Sequence, residues 1–358
     1  MVFNSIFFIF CFLPVFMLIY YLVPGKLRNL LLFLGSLIFY AWGEPVYVIL
    51  MLFSSIFNYY MGTELERLYY DDRKQKINLI FSIIINLAVL VFFKYYGFLL
   101  NTIGGIIGIH IPHPELSLPI GLSFYTFRNL SYLFDIYLSK VSAQRNFLTF
   151  AVYSTMFPYT SAGPIVRYTD IETQLKQRTI NISKFGTGAE LFVKGLAKKV
   201  LLADNLSVLY SSICGHPQMS VFTSWLGILA YTMQLYFDFS GYSDMAIGLG
   251  KMLGFDFNKN FDYPYISTSV SEFWRRWHIS LGSWFRDYIY IPLGGNRVST
   301  LKHIRNILVV WALTGLWHGA SWNFVLWGVY YGLFLLLEKF VLQKYLKKIP
   351  SWLCTVYT

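Results

Sequence analysis

Long apolar runs constrain this chain more than any other feature of its sequence. A helix that crosses a bilayer needs roughly 17 to 25 predominantly apolar residues. Some runs reach that length, and the shorter ones can pair or lie re-entrant. Of 358 residues, 56% are hydrophobic and only 13% are charged, against about 25% charged residues in soluble domains. The sequence therefore predicts an all-α integral membrane protein. The runs cover residues 2–23, 30–41, 46–61, 77–93, 304–317 and 324–337.

Prolines interrupt several apolar stretches, which argues against a bundle of straight helices. A broken backbone at membrane depth is tolerated only where protein or water satisfies the freed polar groups. We therefore expect tilted and re-entrant segments around an internal cavity. No soluble domain, linker or repeat is apparent, so we predict a single polytopic membrane domain over residues 1–358. The prolines are at positions 112, 114, 119, 158, 164, 264 and 292.

The formal charge of +11 does not indicate a nucleic-acid partner. The basic residues fall in short loops between apolar runs, as the positive-inside rule describes for membrane proteins. No HExxH pattern, phosphate-binding loop or dinucleotide-binding GxGxxG after a strand occurs. Metal hydrolases and nucleotide-driven pumps are therefore disfavoured.

The cysteines and four of the six histidines offer no ligand set. Cys11, Cys214 and Cys354 are scattered and form no CxxC or Cys/His pattern, so we predict no metal. The four histidines are flanked by proline or lysine and are expected in solvated or interfacial loops. They are His110, His113, His216 and His303.

His318, in TGLWHGASWNF, is the first candidate catalytic residue. An ionisable group within an apolar region is costly enough to suggest a function. With a pKa normally near 6.5, a neutral imidazole can accept the proton of a hydroxyl that attacks an acyl carbonyl. The alternative is a structural histidine that is hydrogen-bonded to Asn323 or to a helix carbonyl, and spacing leaves both open.

His278 lies in the aromatic and basic stretch of residues 267–297, STSVSEFWRRWHISLGSWFRDYIYIPLGGNR. This composition is typical of segments at the membrane interface. On a continuous helix, Trp274 and His278 share a face. His278 could orient a substrate, bind an anionic headgroup or simply lie at the membrane interface.

Three further charged residues lie within this stretch. Glu272 is spaced to pair with Arg275 or Arg276 on a helix. Both arginines suit lipid headgroups better than a phosphorylated donor.

Asp238 and Asp244 lie in the apolar segment YFDFSGYSDMAIGLG. Acids at membrane depth need a partner or a function, and we favour structural pairing with arginine or with backbone at a cavity rim. A role in a substrate pathway is the alternative.

Two long strings, SEFWRRWHISLGSWFRDYIYIPLGGNR and TGLWHGASWNFVLWG, resemble the membrane-bound O-acyltransferase superfamily, specifically its alginate O-acetyltransferase branch. Similar segments cover residues 118–137, 157–168, 195–206 and 236–255. The chain ends in LKKIPSWLCTVYT, where relatives are expected to continue into further helices, so we expect the C-terminal helices of relatives to be lacking.

The resemblance implies many tilted and re-entrant helices around a central funnel or tunnel in a bacterial inner membrane. It implies cytosolic acetyl-CoA as a donor substrate, no bound cofactor, an SGNH-type partner protein and an exported polysaccharide acceptor. His318 matches the family's catalytic histidine, and His278 matches its second characteristic histidine. As candidate tunnel or substrate-positioning residues we add Asn323, Asp238, Asp244, Arg276 and Trp317.

Two other functions stay open at this point. D-alanyl transfer to teichoic acid shares the fold and the histidine but uses a carrier-protein donor. A non-enzymatic transporter or flippase also uses broken helices and intramembrane acids, although no inverted repeat is visible.

Overall fold

The computed structural model describes residues 1–114, 116–216 and 219–358, and over these residues the chain is helical and contains no β-strand. The prediction of an all-α fold is confirmed. The α-helices are α1 (Leu13–Leu22), α2 (Arg28–Ala41), α3 (Val48–Arg67), α4 (Asp72–Ile107), α5 (Leu122–Tyr137), α6 (Phe147–Thr155), α7 (Phe157–Thr160), α8 (Tyr168–Lys176), α9 (Ile182–Ala197), α10 (Asp204–Cys214), α11 (Val221–Met252), α12 (Val270–Arg276), α13 (Ile279–Phe285), α14 (Thr300–His318), α15 (Trp322–Leu337), α16 (Gln343–Leu346) and α17 (Ser351–Tyr357). Turns of π-helix cover Phe8–Phe12, Lys198–Ala203, Arg286–Tyr290 and Glu338–Leu342, and 3₁₀ turns cover Gly25–Leu27 and Pro264–Ile266.

Among the described residues, three helical segments are long and apolar enough to cross a bilayer. They are α3, α4 and the segment Trp322–Leu346, which contains α15. The N-terminal apolar helix Phe8–Leu22 is shorter. Large apolar side chains on these segments face outward, such as Ile49, which is 72% exposed. Such a surface suits contact with lipid.

Three prolines lie at the starts of helical segments. Pro158 lies in the first turn of α7, Pro264 begins a 3₁₀ turn, and Pro350 directly precedes α17. Proline is tolerated at these positions because the first turn of a helix needs no intrahelical N–H donor there. The arrangement of these segments around a funnel stays a prediction.

The chain divides into two compact units. Unit 1 comprises Met1–Ile56 and Gln144–Asn260, and unit 2 comprises Phe57–Ala143 and Phe261–Thr358. The prediction of one membrane domain over residues 1–358 stays a prediction.

In unit 1, α9 and α11 pack backbone to backbone. A Cβ atom on Gly195 would lie 2.5 Å from the carbonyl oxygen of Gly241, and one on Gly248 would lie 2.6 Å from that of Gly188. Small residues allow such close approach, which is the usual basis of helix packing in membranes. Glycine at these four positions therefore fixes the spacing of the pair.

In unit 2, α5 is almost entirely buried and supports its neighbours. The Trp284 indole of α13 stacks on Phe127 with 4.0 Å between ring centroids, and its Nε1 donates to the Phe127 carbonyl oxygen at 3.0 Å. Asp135 accepts hydrogen bonds from the Tyr288 hydroxyl at 2.8 Å and from Lys140 Nζ at 3.2 Å. Helix α5 thus holds α13 and the π-helical turn after it.

The helices α14 and α15 of unit 2 form a second glycine-packed pair. A Cβ atom on Gly315 would lie 2.4 Å from the Phe324 carbonyl oxygen, and one on Gly328 would lie 2.4 Å from that of Trp311. The close approach fixes the end of α14, and α14 ends at His318.

Candidate active site

A cavity of about 800 Å³ lies within unit 2 and is lined by both His278 and His318. Its walls come from α12, α13, α14 and the segment from Leu335 to Cys354. Two histidines 40 positions apart in sequence are therefore brought to one space.

His318 is half-buried at the end of α14, where Gly319 is extended and ends the helix. Its imidazole lies 5.0 Å from the Trp317 ring and 4.8 Å from the Trp327 ring, measured between centroids. No hydrogen bond to this imidazole occurs within the described ranges. Asn323, the partner in the structural alternative, is exposed in the first turn of α15. The ring is thus held by aromatic contacts, with its nitrogens free for a ligand.

His278 is buried, with 3% of its surface exposed, and lies between α12 and α13. The prediction of one continuous helix through Trp274 and His278 is wrong, because α12 ends at Arg276 and His278 has a φ of 44°. Neighbours on a straight helix point about 100° apart. The break lets both Trp277 and His278 turn inward. Burial lowers the pKa of His278 to about 3, and a charge on His318 would lower it further.

Trp317 contacts both histidines. Its ring centroid lies 5.7 Å from that of His278 and 5.0 Å from that of His318. The aromatic rings of Phe124 and Phe127 on α5 lie 5.7 and 6.0 Å from the indole. The buried helix α5 therefore sets the position of the residue that joins the two histidines.

Glu338 fixes the start of α12. Its carboxylate accepts the backbone N–H groups of Val270 at 2.7 Å and Ser271 at 3.0 Å, and only 3% of its surface is exposed. A buried carboxylate at a helix N-terminus satisfies the unpaired N–H groups and complements the helix dipole. The end of the α15 segment thereby anchors the helix that leads to His278.

Arg276, a predicted positioning residue, donates hydrogen bonds to residues that lie close to it in the sequence. Its Nε donates to Glu272 at 2.9 Å and its Nη1 donates to the Asp262 carbonyl oxygen at 3.0 Å, which confirms the predicted pairing with Glu272. Hydrogen bonding from the Thr268 backbone, with further bonds from its hydroxyl and from Arg276, lowers the pKa of Glu272 to about 2. Arg275, rather than Arg276, lines the cavity.

An aromatic wall faces the cavity next to Trp274. This indole lies 4.9 Å from the Trp311 ring and 5.0 Å from the Tyr331 ring. Its Nε1 is buried and has no hydrogen-bond partner among the residues that the structure describes. Sequence reasoning missed this donor, since a Trp in an aromatic stretch carries no sign of whether its N–H is satisfied.

Cationic side chains line the same cavity, and one of them contacts His303. Lys339 Nζ lies 3.1 Å from His303 Nε2, and the Tyr290 hydroxyl lies 3.0 Å from the same nitrogen. His303 was predicted to lie in a loop with a solvated or interfacial side chain. The loop is a wrong prediction, because His303 lies in the first turn of α14 and is buried among these groups. The cations of the lining are Arg275, Arg286, Lys339 and Lys347.

Asp238 and Asp244 lie on α11 of unit 1 and do not line the cavity. Asp238 pairs with Lys199 at 2.8 Å, and Asp244 pairs with Lys198 at 2.6 Å. The prediction of pairing was right but the expected partner was wrong, since the cations are lysines. They follow α9 directly, and the contact between α9 and α11 brings their long side chains within reach.

Comparison with known families identifies the kind of protein that carries this cavity. Residues 46–348 match the model of the membrane-bound O-acyltransferase family. The chain belongs to that family. As an O-acyltransferase family member it is a membrane-integral protein, and the resemblance inferred from its sequence is confirmed.

Named relatives of this O-acyltransferase family member fall into three groups. A protein named "Probable alginate O-acetylase AlgI" from Pseudomonas aeruginosa is 45% identical over 95% of this chain and 66% of its own length. A "Peptidoglycan O-acetyltransferase" from Helicobacter pylori is 35% identical over 99% of this chain and 75% of its own length. A "Teichoic acid D-alanyltransferase" from Bacillus subtilis is 27% identical over 68% of this chain and 64% of its own length. The chain spans about two thirds of the length of the alginate O-acetylases that it matches.

Proposed function

We propose that this protein is an O-acetyltransferase of a bacterial cytoplasmic membrane. It takes an acetyl group from cytosolic acetyl-CoA and passes it across the membrane for O-acetylation of an exported polysaccharide. The observation that carries the proposal is the meeting of His318 and His278 at one cavity, with Trp317 in contact with both. The names of the relatives favour alginate or peptidoglycan as the acceptor.

In this proposal His318 acts as the general base. Its neutral imidazole takes the proton of a hydroxyl while the hydroxyl oxygen forms a bond to the acetyl carbonyl carbon. The carbon–sulfur bond of the thioester then breaks, and the imidazolium returns the proton to the departing sulfur. The products are an O-acetyl ester and free CoA thiol, so no metal or redox partner is needed to balance the step. Such base assistance contributes about 10² to 10⁴ in rate.

His278 and Trp274 are proposed to prepare the reacting groups. His278 is buried and its pKa is about 3, so it stays neutral near pH 7 and can orient a substrate by hydrogen bonding without adding charge. The buried N–H of Trp274 can donate to the thioester carbonyl oxygen as negative charge develops there. A donor aimed at that oxygen stabilises the transition state more than the ground state.

The cavity lining suits a donor that is apolar along part of its length and anionic at one end. The aromatic wall around Trp274 matches the acyl-pantetheine part, and Arg275, Lys339 and Lys347 match phosphate groups. The hydroxyl that receives the acetyl group belongs to an SGNH-type partner protein, which completes transfer to the polysaccharide.

The test is transfer of labelled acetyl from acetyl-CoA into extracellular polymer by cells that lack the native gene and carry this chain. We expect His318→Ala to lower the label on the order of 10²- to 10⁴-fold, with the variant still present in the membrane at the wild-type level. His110→Ala, at an exposed histidine outside the cavity lining, is the control and should keep full activity.

Full acetylation by His318→Ala would refute the assignment of the base. Label that enters polymer only from a D-alanyl carrier protein would make the chain a D-alanyltransferase. Polymer or lipid movement without covalent acyl turnover would favour a transporter.

A further inference from the structure

Helix α4 carries a lysine deep inside an otherwise uncharged length. Between Lys76 and Ile107, Lys94 is the only residue with an ionisable acidic or basic side chain other than tyrosine. A lone cation within a segment able to cross a bilayer is costly and calls for a reason. Lys94 is half-buried, and no carboxylate lies within ion-pair distance of it in the described part of the chain.

The partners of Lys94 belong to the last turn of α14. Its Nζ donates a hydrogen bond to the carbonyl oxygen of Trp317, and the neighbouring Tyr95 hydroxyl donates to that of Leu316. The ammonium also lies 5.6 Å from the centroid of the Trp317 indole. One side chain therefore holds both the backbone and the ring of the residue before His318.

These contacts answer a physical need at this helix end. The last four carbonyls of a helix have no intrahelical partner, and at membrane depth little water is present to satisfy them. A cation there also complements the negative end of the helix dipole. Because Gly319 turns the chain away in an extended conformation, the carbonyls of Leu316 and Trp317 depend on donors from another helix.

We propose that Lys94 is a positioning residue for acyl transfer, which caps the end of α14 and so holds His318 and Trp317 in place at the cavity. The proposal rests on the proposed role of His318 as the base. Without the cap the last turn of α14 frays, and the imidazole loses its fixed position relative to the bound thioester. A misplacement of about 1 Å can cost on the order of 10²-fold in rate.

The experiment compares Lys94→Met, Lys94→Arg and Lys76→Met in the purified protein in lipid nanodiscs, with the SGNH-type partner protein supplied as the acceptor. Lys94→Met keeps the length of the side chain but removes its donors and charge, and Lys94→Arg retains a cation. Lys76 is exposed near the start of the same helix and serves as the matched control. Two quantities are measured: kcat and KM for labelled acetyl-CoA, and hydrogen exchange of the backbone amides of residues 314–319.

We expect Lys94→Met to lower kcat roughly 10- to 100-fold and to leave KM for the donor within about twofold, as loss of transition-state alignment predicts. Amide exchange at residues 314–319 should become faster. Lys94→Arg should restore most of kcat and of the protection, and Lys76→Met should match the wild type in both measurements.

Wild-type kcat in Lys94→Met would overturn the positioning role, as would a loss of kcat with unchanged exchange at the end of α14. These results are distinct from failure of the proposed function, in which His318→Ala would keep its activity. Hydrogen exchange does not depend on turnover. It therefore tests whether Lys94 stabilises the end of α14 even if His318 is not the base.

Discussion

Two helix pairs in this molecule are both packed closely through glycines, but they differ in the polar groups beside them. In unit 1, α9 and α11 meet through glycines, and in unit 2, α14 and α15 do the same. The polar groups beside them differ. Lys199 and Asp238 close on each other at 2.8 Å in unit 1, whereas His318 in unit 2 meets aromatic rings and a cavity.

The difference shows how to interpret ionisable residues in an apolar segment. Each is costly and so suggests a function, but the local partner decides which kind of function. A charge that is neutralised by its neighbour supports packing. An imidazole that is held by rings, with its nitrogens left for a ligand, is suited to chemistry.

Among changes that compare the two helix pairs, the largest effect is expected when the glycine packing is broken. Gly195→Ala and Gly315→Ala each place a Cβ atom within 2.5 Å of a backbone oxygen, and such overpacking costs about 1–3 kcal/mol. Thermal unfolding of the purified variants measures this cost. Only Gly315→Ala should also reduce kcat, since it displaces the turn that carries His318.

The control for both variants is Gly105→Ala, since a Cβ atom on Gly105 in α4 meets nothing within 4 Å. Its thermal stability should equal or exceed that of the wild type. If Gly195→Ala were as stable as this control, the backbone contact of α9 with α11 would be refuted.

A smaller effect is expected from the unpartnered donor at the cavity. Trp274→Phe keeps the aromatic wall and removes the N–H group, and one hydrogen bond contributes about 0.5–1.5 kcal/mol. We therefore predict a loss in kcat/KM of up to roughly tenfold, measured with labelled acetyl-CoA.

The matched change is Trp311→Phe, at an indole that lines the same cavity and packs on Trp274. Its nitrogen is not one of the buried atoms without a partner, so the variant should lose less activity. Equal losses in the two variants would mean that aromatic area, and not the Trp274 donor, matters.

The smallest effect is expected at the ion pair of unit 1. Asp238 and Lys199 are partly exposed, with 39% and 24% of their side-chain surfaces accessible, and such pairs contribute about 0.2–1 kcal/mol. Asp238→Asn should lower thermal stability by that amount and leave kcat unchanged. A double-mutant cycle with Lys199→Met isolates the pair, and a fall in kcat would instead place Asp238 on a substrate pathway.

The two candidate histidines could be predicted from the sequence better than the residues around them. His318 and His278 stand in long strings that resemble a family, so both were candidates before their shared cavity was known. Trp317 was also a candidate, although nothing in its spacing indicated contact with both rings. The continuous helix through His278 was a wrong prediction, because helical periodicity cannot register a single residue with positive φ.

Sequence reasoning also missed residues that act through backbone groups. The role of Glu338 could not be predicted, because its partners are the backbone N–H groups of Val270 and Ser271, which every residue except proline has. Lys94 did carry a signal, since the rule that drew attention to His318 applies equally to a lysine in an apolar helix. Its target, a carbonyl 223 positions away, could be found only from the fold.

The contact of Glu338 with α12 has a consequence for the order in which the site is made. The two partners are 68 positions apart along the chain, and a protein is synthesised and begins to fold from its N-terminus. While the ribosome has yet to reach Glu338, α12 lacks its cap and His278 has no anchored helix before it. The candidate site is therefore completed only after residue 338 has been synthesised, when the helices that precede Glu338 along the chain have already been made.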